Sequence, residues 1–262
     1  MAEEVIKAGA KPHYPDGVAV VVGGSGGIGR GCCERLAAHG TDVALTYRSN
    51  RAKADDAVAA VEAAGQKGYA APLDLVDRDA VTAFFDDVAE RFGAIHTVVF
   101  AVGADITMTY VGDIDPDEWH RTIDGDLNGF FHVVRASLPH LRKQGGAYVA
   151  LTSAGIPRHP QKDILSTAPK AGIEALIRGI AREEGRYGIR ANAIQLGVID
   201  AGLFDRIREQ LSSNFVEAMK NNTALRRFAS AHEVGDAAVY LSSSVGSFIT
   251  GHSLLFDGGY AV

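Results

Sequence analysis

The sequence has little cysteine: only Cys32 and Cys33 occur in 262 residues, and they are adjacent. Neighbouring cysteines rarely bridge, which excludes a disulfide scaffold and makes a reducing cytoplasm the expected compartment. The Cys and His spacings of zinc sites are missing too, so no metal is expected. Basic charge is in deficit, with 26 Lys and Arg against 32 Asp and Glu and a net charge of −6. A chain of that sign carries no electrostatic footprint for nucleic acid or an anionic membrane. No apolar run approaches the roughly 18 residues of a membrane span. Residues 1–16 mix Glu3, Glu4, Lys7, Lys11, Pro12 and Pro15 without an apolar stretch, and read as an N-terminal extension rather than a signal peptide. Repeats, low-complexity tracts and linkers are also absent. Hydrophobic residues make up 47% and charged residues 22%. That ordinary balance predicts one folded domain over 17–262. Glycine, by contrast, is plentiful at 30 residues.

Strand and helix patterns alternate along the chain. Val18–Val22 is a continuous apolar run of strand length, and 28–39 has helical spacing that stops at Gly40. Asp42–Tyr47, 67–72, His96–Phe100, Ala147–Thr152, 189–195 and Ser253–Phe256 read as further strands. Helices are expected over 51–64, 78–92, 164–186, 203–221 and 232–242. Asp115-Pro116 is an N-cap followed by Pro at N1, and predicts one long helix to about 143. Such alternation builds right-handed βαβ units. The expected fold is therefore α/β, a doubly wound parallel sheet of about seven strands, Rossmann-type, in a single domain. Ligands on such a sheet bind outside the carboxyl ends of the strands, where the strand order reverses.

The first strand runs directly into Gly23-Gly24-Ser25-Gly26-Gly27-Ile28-Gly29. Glycine allows a tight turn and close approach of a pyrophosphate, and the helix that follows offers free N–H groups and the positive end of its dipole. Gly23, Ser25, Gly27, Ile28 and Gly29 are the candidate phosphate cradle. At the end of the second strand, a carboxylate would accept from a ribose 2′-hydroxyl, whereas a cation accommodates a 2′-phosphate. The stretch here is Tyr47-Arg48-Ser49-Asn50, with no carboxylate. Arg48 can grip a phosphate through its planar fork, with Ser49 and Asn50 as further donors, so the expected cofactor is NADP(H).

The chain resembles the short-chain dehydrogenase/reductase superfamily from Gly17 to Gly259. Gly23-x-x-x-Gly27-x-Gly29 matches its glycine signature. Asp74-Leu75, Asp124–Gly129, Lys170-Ala171-Gly172, Ile189-Arg190-Ala191-Asn192-Ala193, Ile249-Thr250-Gly251 and Phe256-Asp257-Gly258-Gly259 follow in register. The resemblance implies that Asp74 holds the adenine with Leu75 packed beside it. Gly103, Gly197 and the Ile199 backbone would line the dinucleotide, and Lys170 would bond the nicotinamide ribose.

The family's usual proton chemistry uses a tyrosine four residues before the lysine, but that position here is Ser166. An alkyl hydroxyl is a far poorer acid than a tuned phenol. The helix asparagine is replaced by Asp126, which could pair with Lys170 across the site. Two alignments place the site hydroxyl at Thr152 or at Ser153, and both stay open. Ser four residues before Lys also resembles the 2,4-dienoyl-CoA reductase branch. That branch's tyrosine, fifteen residues before its lysine, corresponds to Gly155 here. Tyr110, His159 and Asp163 are the other candidate donors.

The expected function is therefore NADP(H)-dependent hydride transfer to an activated C=C or C=O, such as an enoyl or oxoacyl thioester. The alternatives are a catalytically weak member that binds NADP(H) as a sensor or scaffold, and a ketoreductase using a substitute acid. Residues 200–225 are the expected substrate lid. Phe204, Ile207, Leu211 and Phe215 would give it an apolar face, which suits a small apolar substrate. The resemblance also implies a homotetramer, with Arg226–Gly259 at an interface.

Overall fold

The computed structural model describes residues 13–202, 204 and 212–262. Its strands are β1 (Val18–Val22), β2 (Asp42–Tyr47), β3 (Gly68–Pro72), β4 (Ile95–Phe100), β5 (Gly146–Ser153), β6 (Ile189–Leu196) and β7 (Ser253–Phe256). They form one seven-stranded sheet in the order β3-β2-β1-β4-β5-β6-β7. Every neighbouring pair is parallel. The helices are α1 (Gly27–Ala38), α2 (Arg51–Ala63), α3 (Arg78–Phe92), α4 (Pro116–Ile123), α5 (Gly129–Leu141), α6 (Gly155–Arg158), α7 (Ile164–Glu184), α8 (Ser213–Asn221) and α9 (Ala231–Ser242).

Parallel strands need crossovers, and right-handed crossovers place helices on both faces of the sheet. Two cores result. Val18, Val20 and Val22 pack with Phe84, Phe85 and Val88 of α3, Phe130 and Val133 of α5, and Ile173 and Ile177 of α7. The alternate residues Ala19 and Val21 pack with Cys32, Cys33 and Leu36 of α1 and Val234, Ala238 and Val239 of α9. Successive side chains of a strand point to opposite faces, so a strand covered on both sides is apolar throughout, as β1 is.

One expectation needs correction. The long helix expected from Pro116 is interrupted by one π turn, Asp124–Asn128, between α4 and α5. A π turn carries one extra residue, and such turns recur at functional sites. Of the helix expected over 203–221, Ser213–Asn221 is described as α8. Ile207, Leu211 and the side chain of Phe215 lie outside the described residues. Tyr14, within the expected N-terminal extension, is buried. It stacks on His96 with ring centroids 5.2 Å apart and shares a 3.0 Å hydrogen bond with Ser242.

Candidate functional site

The strand order reverses between β1 and β4, and the glycine loop after β1 lies at that reversal. Gly23 takes φ +81°, and a Cβ there would stand 2.9 Å from the Ala101 carbonyl oxygen in the loop after β4. A Cβ on Gly29 would run into the Gly23 carbonyl, and one on Gly27 would stand 2.5 Å from the Gly202 nitrogen. Thr46 of β2 holds the loop from the side, its Oγ1 accepting from the Gly23 N–H at 2.9 Å. Ser25 and Ile28 are half-buried in the same loop. The N-cap of α1 is Gly26. It supplies no side-chain cap, and the first turn holds no acidic residue. The first N–H groups of α1 thus lack a side-chain partner at the positive end of the helix. A backbone cradle that excludes side chains and ends on open N–H groups fits a dinucleotide phosphate.

Around this cradle stand the other expected cofactor contacts. Arg48 and Ser49 are exposed at the end of β2, and no described carboxylate pairs with Arg48. Asn50 is partly committed elsewhere, since its Oδ1 caps α2 by accepting from the Lys53 N–H at 3.0 Å. Asp74 is exposed after β3, and its Oδ1 accepts from the Val76 N–H at 3.1 Å. Leu75 is buried beneath it against Gly129. Gly103 is exposed with open space around it. Gly197 presses on Asp257, and Ile199 is buried in a bridge to Ala229.

The residues expected at the reactive side come together where α7 meets the π turn. The Lys170 Nζ is 3.1 Å from Asp126 Oδ2 and donates to the Val102 carbonyl at 2.6 Å. Both side chains are deeply buried, with Lys170 7% and Asp126 2% exposed. An ammonium has three donors, so one is left for a ligand. Asp126 Oδ1 is buried with no hydrogen-bond partner among the described residues, which leaves an acceptor at the same place. Ser166 lies one turn before Lys170 on α7, half-buried.

Geometry separates Thr152 from Ser153. Adjacent residues of β5 face opposite ways. The Thr152 hydroxyl points into the core and donates to Glu174 Oε1 at 2.8 Å. Glu174 also accepts from Gln195 (2.9 Å) and from Ser253 (2.8 Å). That buried polar cluster was missed from sequence. Its signal was the spacing of Ser166, Lys170 and Glu174, three polar residues four apart on α7. The Ser153 Oγ instead accepts from the Gly155 N–H at 3.0 Å, close to Asp163. Burial pushes the Asp163 carboxyl up to about 6. Tyr110 is exposed, with the Lys162 Nζ 4.7 Å above its ring, and His159 is exposed in a left-handed turn. Phe204, from the expected lid, is buried edge-on against Phe228 at 4.8 Å.

Among the described residues, no helix is long and apolar enough to cross a membrane, and no group of three His, Cys, Asp or Glu could hold a metal ion.

Comparison with known proteins agrees with this architecture. A family model described as enoyl-(acyl carrier protein) reductase matches residues 22–261. A 3-oxoacyl-acyl-carrier-protein reductase of Staphylococcus aureus is 31% identical over 245 residues, covering 92% of this chain and 96% of its own. A 1-cyclohexenylcarbonyl-CoA reductase of Streptomyces collinus is 31% identical, covering 94% of this chain and 87% of its own. A short-chain type dehydrogenase/reductase from Mycobacterium ulcerans superposes with a TM-score of 0.89 at 28% identity, covering 95% of this chain and 90% of its own.

Proposed function

The chain belongs to the short-chain dehydrogenase/reductase superfamily and is of its oxidoreductase type, and from that premise we propose that it is an NADP(H)-dependent reductase of an activated C=C or C=O bond in an enoyl or oxoacyl thioester. The observation that carries the reading is the buried Lys170–Asp126 pair beside Ser166, where the family's phenol is absent. The relatives include both a 3-oxoacyl reductase and a reductase of a cyclohexenyl thioester.

When bound, the reduced dinucleotide supplies a hydride. The cradle of Gly23, Ser25, Gly27, Ile28 and Gly29 would hold its phosphates, and Arg48 with Ser49 would hold the 2′-phosphate. Asp74 and Leu75 frame the adenine, and Gly103, Gly197 and Ile199 line the path to the nicotinamide. Lys170 would give its third N–H to the ribose, its other bonds to Asp126 and Val102 fixing the ammonium in place. Reduction of the double bond would leave negative charge on an oxygen, and the hydroxyls of Ser153 and Ser166 would donate hydrogen bonds to it. Exposed Phe131 on α5 and Tyr240, Val245 and Phe248 near the C-terminus support assembly into a homotetramer.

The test is NADPH oxidation against a panel of enoyl and 3-oxoacyl thioesters beside simple ketones. Turnover on a thioester, with simple ketones at least about 10²-fold slower, is expected, because tuned general-acid catalysis is worth about that much. NADPH should bind at least about tenfold tighter than NADH, roughly 1.4 kcal/mol, and Arg48→Ala should erase the difference. Tight NADPH binding without turnover on any of these would replace this reading with that of a sensor or scaffold. Light scattering that finds a monomer fully able to bind NADPH would remove the tetramer.

A further inference from the structure

We propose that Asp163 is the proton donor of this site. The proposal rests on the reductase reading above. Each hydride added to a polar double bond must be matched by one proton. Ser153 and Ser166 are alkyl hydroxyls, too weakly acidic for the task, and Lys170 is held by Asp126 and Val102. Of the three remaining candidates, Tyr110 and His159 are exposed. Asp163 alone is drawn inward to the Ser153 hydroxyl.

Four observations place it there. First, position 155 is glycine, and the space a side chain would take is filled by the Asp163 carboxyl. A Cβ on Gly155 would stand 2.6 Å from Asp163 Oδ2, 2.7 Å from the Thr167 methyl and 3.0 Å from Ser153 Oγ. The carboxyl and the Ser153 hydroxyl thus converge on one point. Second, Asp163 is the N-cap residue of α7, yet its side chain caps nothing. An N-cap aspartate ordinarily accepts from the first turn. Here its backbone carbonyl does that work, accepting from the Ser166 N–H at 3.1 Å and the Thr167 N–H at 2.9 Å. Third, the approach to Asp163 runs through two left-handed non-glycine residues, His159 (φ 50°) and Lys162 (φ 68°). Such backbone is costly and persists where the surroundings enforce it. The Lys162 ammonium over the Tyr110 ring is one such restraint, joining this loop to the one after β4. Fourth, burial holds the carboxyl near pH 6, where a general acid works best close to neutrality.

The step balances. The reduced nicotinamide delivers two electrons as hydride to the substrate carbon. The Asp163 O–H bond breaks, and its proton forms a new bond to the anionic oxygen or α-carbon of the substrate. Water returns a proton to the carboxylate afterwards. Beside the Gly155 position the Asp163 carboxyl has the uncharged Ser153 and Thr167 for neighbours, and burial alone raises it, with no charged partner contributing. The cations of the neighbouring segments are engaged with other groups: Lys162 with the Tyr110 ring, Arg158 with the Tyr260 ring, and Lys170 with Asp126. His159 is exposed.

The test compares wild type with Asp163→Asn and Asp163→Glu on the thioester that wild type turns over fastest. Asp163→Asn keeps the shape and should lower kcat by about 10²-fold or more, with KM and NADPH affinity unchanged. Wild-type kcat should fall as pH rises through about 6, and that limb should vanish in Asp163→Asn. Asp163→Glu retains a carboxyl and should recover part of the loss. Carboxyl carbon NMR of the ligand-free chain supplies a readout apart from turnover: one aspartate resonance titrating near 6 should be missing from Asp163→Asn. Asp163→Asn turnover within about threefold of wild type, with the pH limb intact, would overturn the Asp163 role and leave the reductase reading standing. Wild type that binds NADPH but reduces no thioester would overturn both.

Discussion

At the scale of single residues, burial favours the uncharged form of both bases and acids in this protein. His96 is buried between Thr41 and Thr97, hydrogen-bonded to each at 2.9 Å, and burial lowers its pKa to about 4. Asp163 is pushed the other way, to about 6, by the same cause. For His96 the folded value lies below the unfolded one of 6.5. Its contribution to stability is therefore complete above pH 6.5 and is lost as pH falls to about 4, on the order of 3 kcal/mol in all. Urea unfolding at pH 7 and pH 4.5 should show this loss in wild type and a shallower one in His96→Gln; equal pH slopes would refute the assignment. Sequence made part of this scale legible. Lys170, Asp126 and Ser166 can be singled out because they stand at fixed spacing from a motif, and Lys170 and Asp126 do pair. The choice between Thr152 and Ser153 was not legible, because it depends on which face of β5 looks into the site. Nor was the inward turn of Asp163, which depends on backbone angles that no residue type announces.

At the scale of elements, the alternation of strand and helix was legible because each element carries its own period and stop signal. The π turn at Asp124–Asn128 was not. One extra residue shifts the apolar stripe by about 100°, and α4 is too short for that shift to register as a change of phase. Yet the turn carries Asp126 to Lys170 and so sets the site. The glycine loop was legible as a motif, but only packing ranks its members. Gly29→Ala would drive a methyl group into the Gly23 carbonyl, whereas Gly103→Ala meets nothing within 4 Å. Gly29→Ala should therefore cost about 1–3 kcal/mol of stability, together with most NADPH affinity, and Gly103→Ala little of either. Thermal melts and NADPH titration of the two variants would check this; equal behaviour would mean that the cradle is looser than described.

At the scale of the whole molecule, the seven parallel strands and the two covering layers of helices followed from the alternation. The burial of Tyr14 in the packed body did not, because a single aromatic ring anchoring a polar segment leaves no periodic trace. The layer that holds α1 against α9 has a further chemical consequence. Cys32 and Cys33 are fully enclosed in it, and burial pushes the Cys32 thiol up to about 12 and the Cys33 thiol up as well. Only a thiolate reacts readily with an alkylating reagent, and an enclosed thiol cannot meet one. The two cysteines should thus stay silent in the native protein and become labelled only when α1 lifts from the sheet. Their labelling rate in dilute urea, read by mass spectrometry, becomes a clock for the opening of that layer. It should slow when NADPH occupies the cradle at the start of the same helix; a rate indifferent to the cofactor would mean that the helix can open with its N-terminus still engaged.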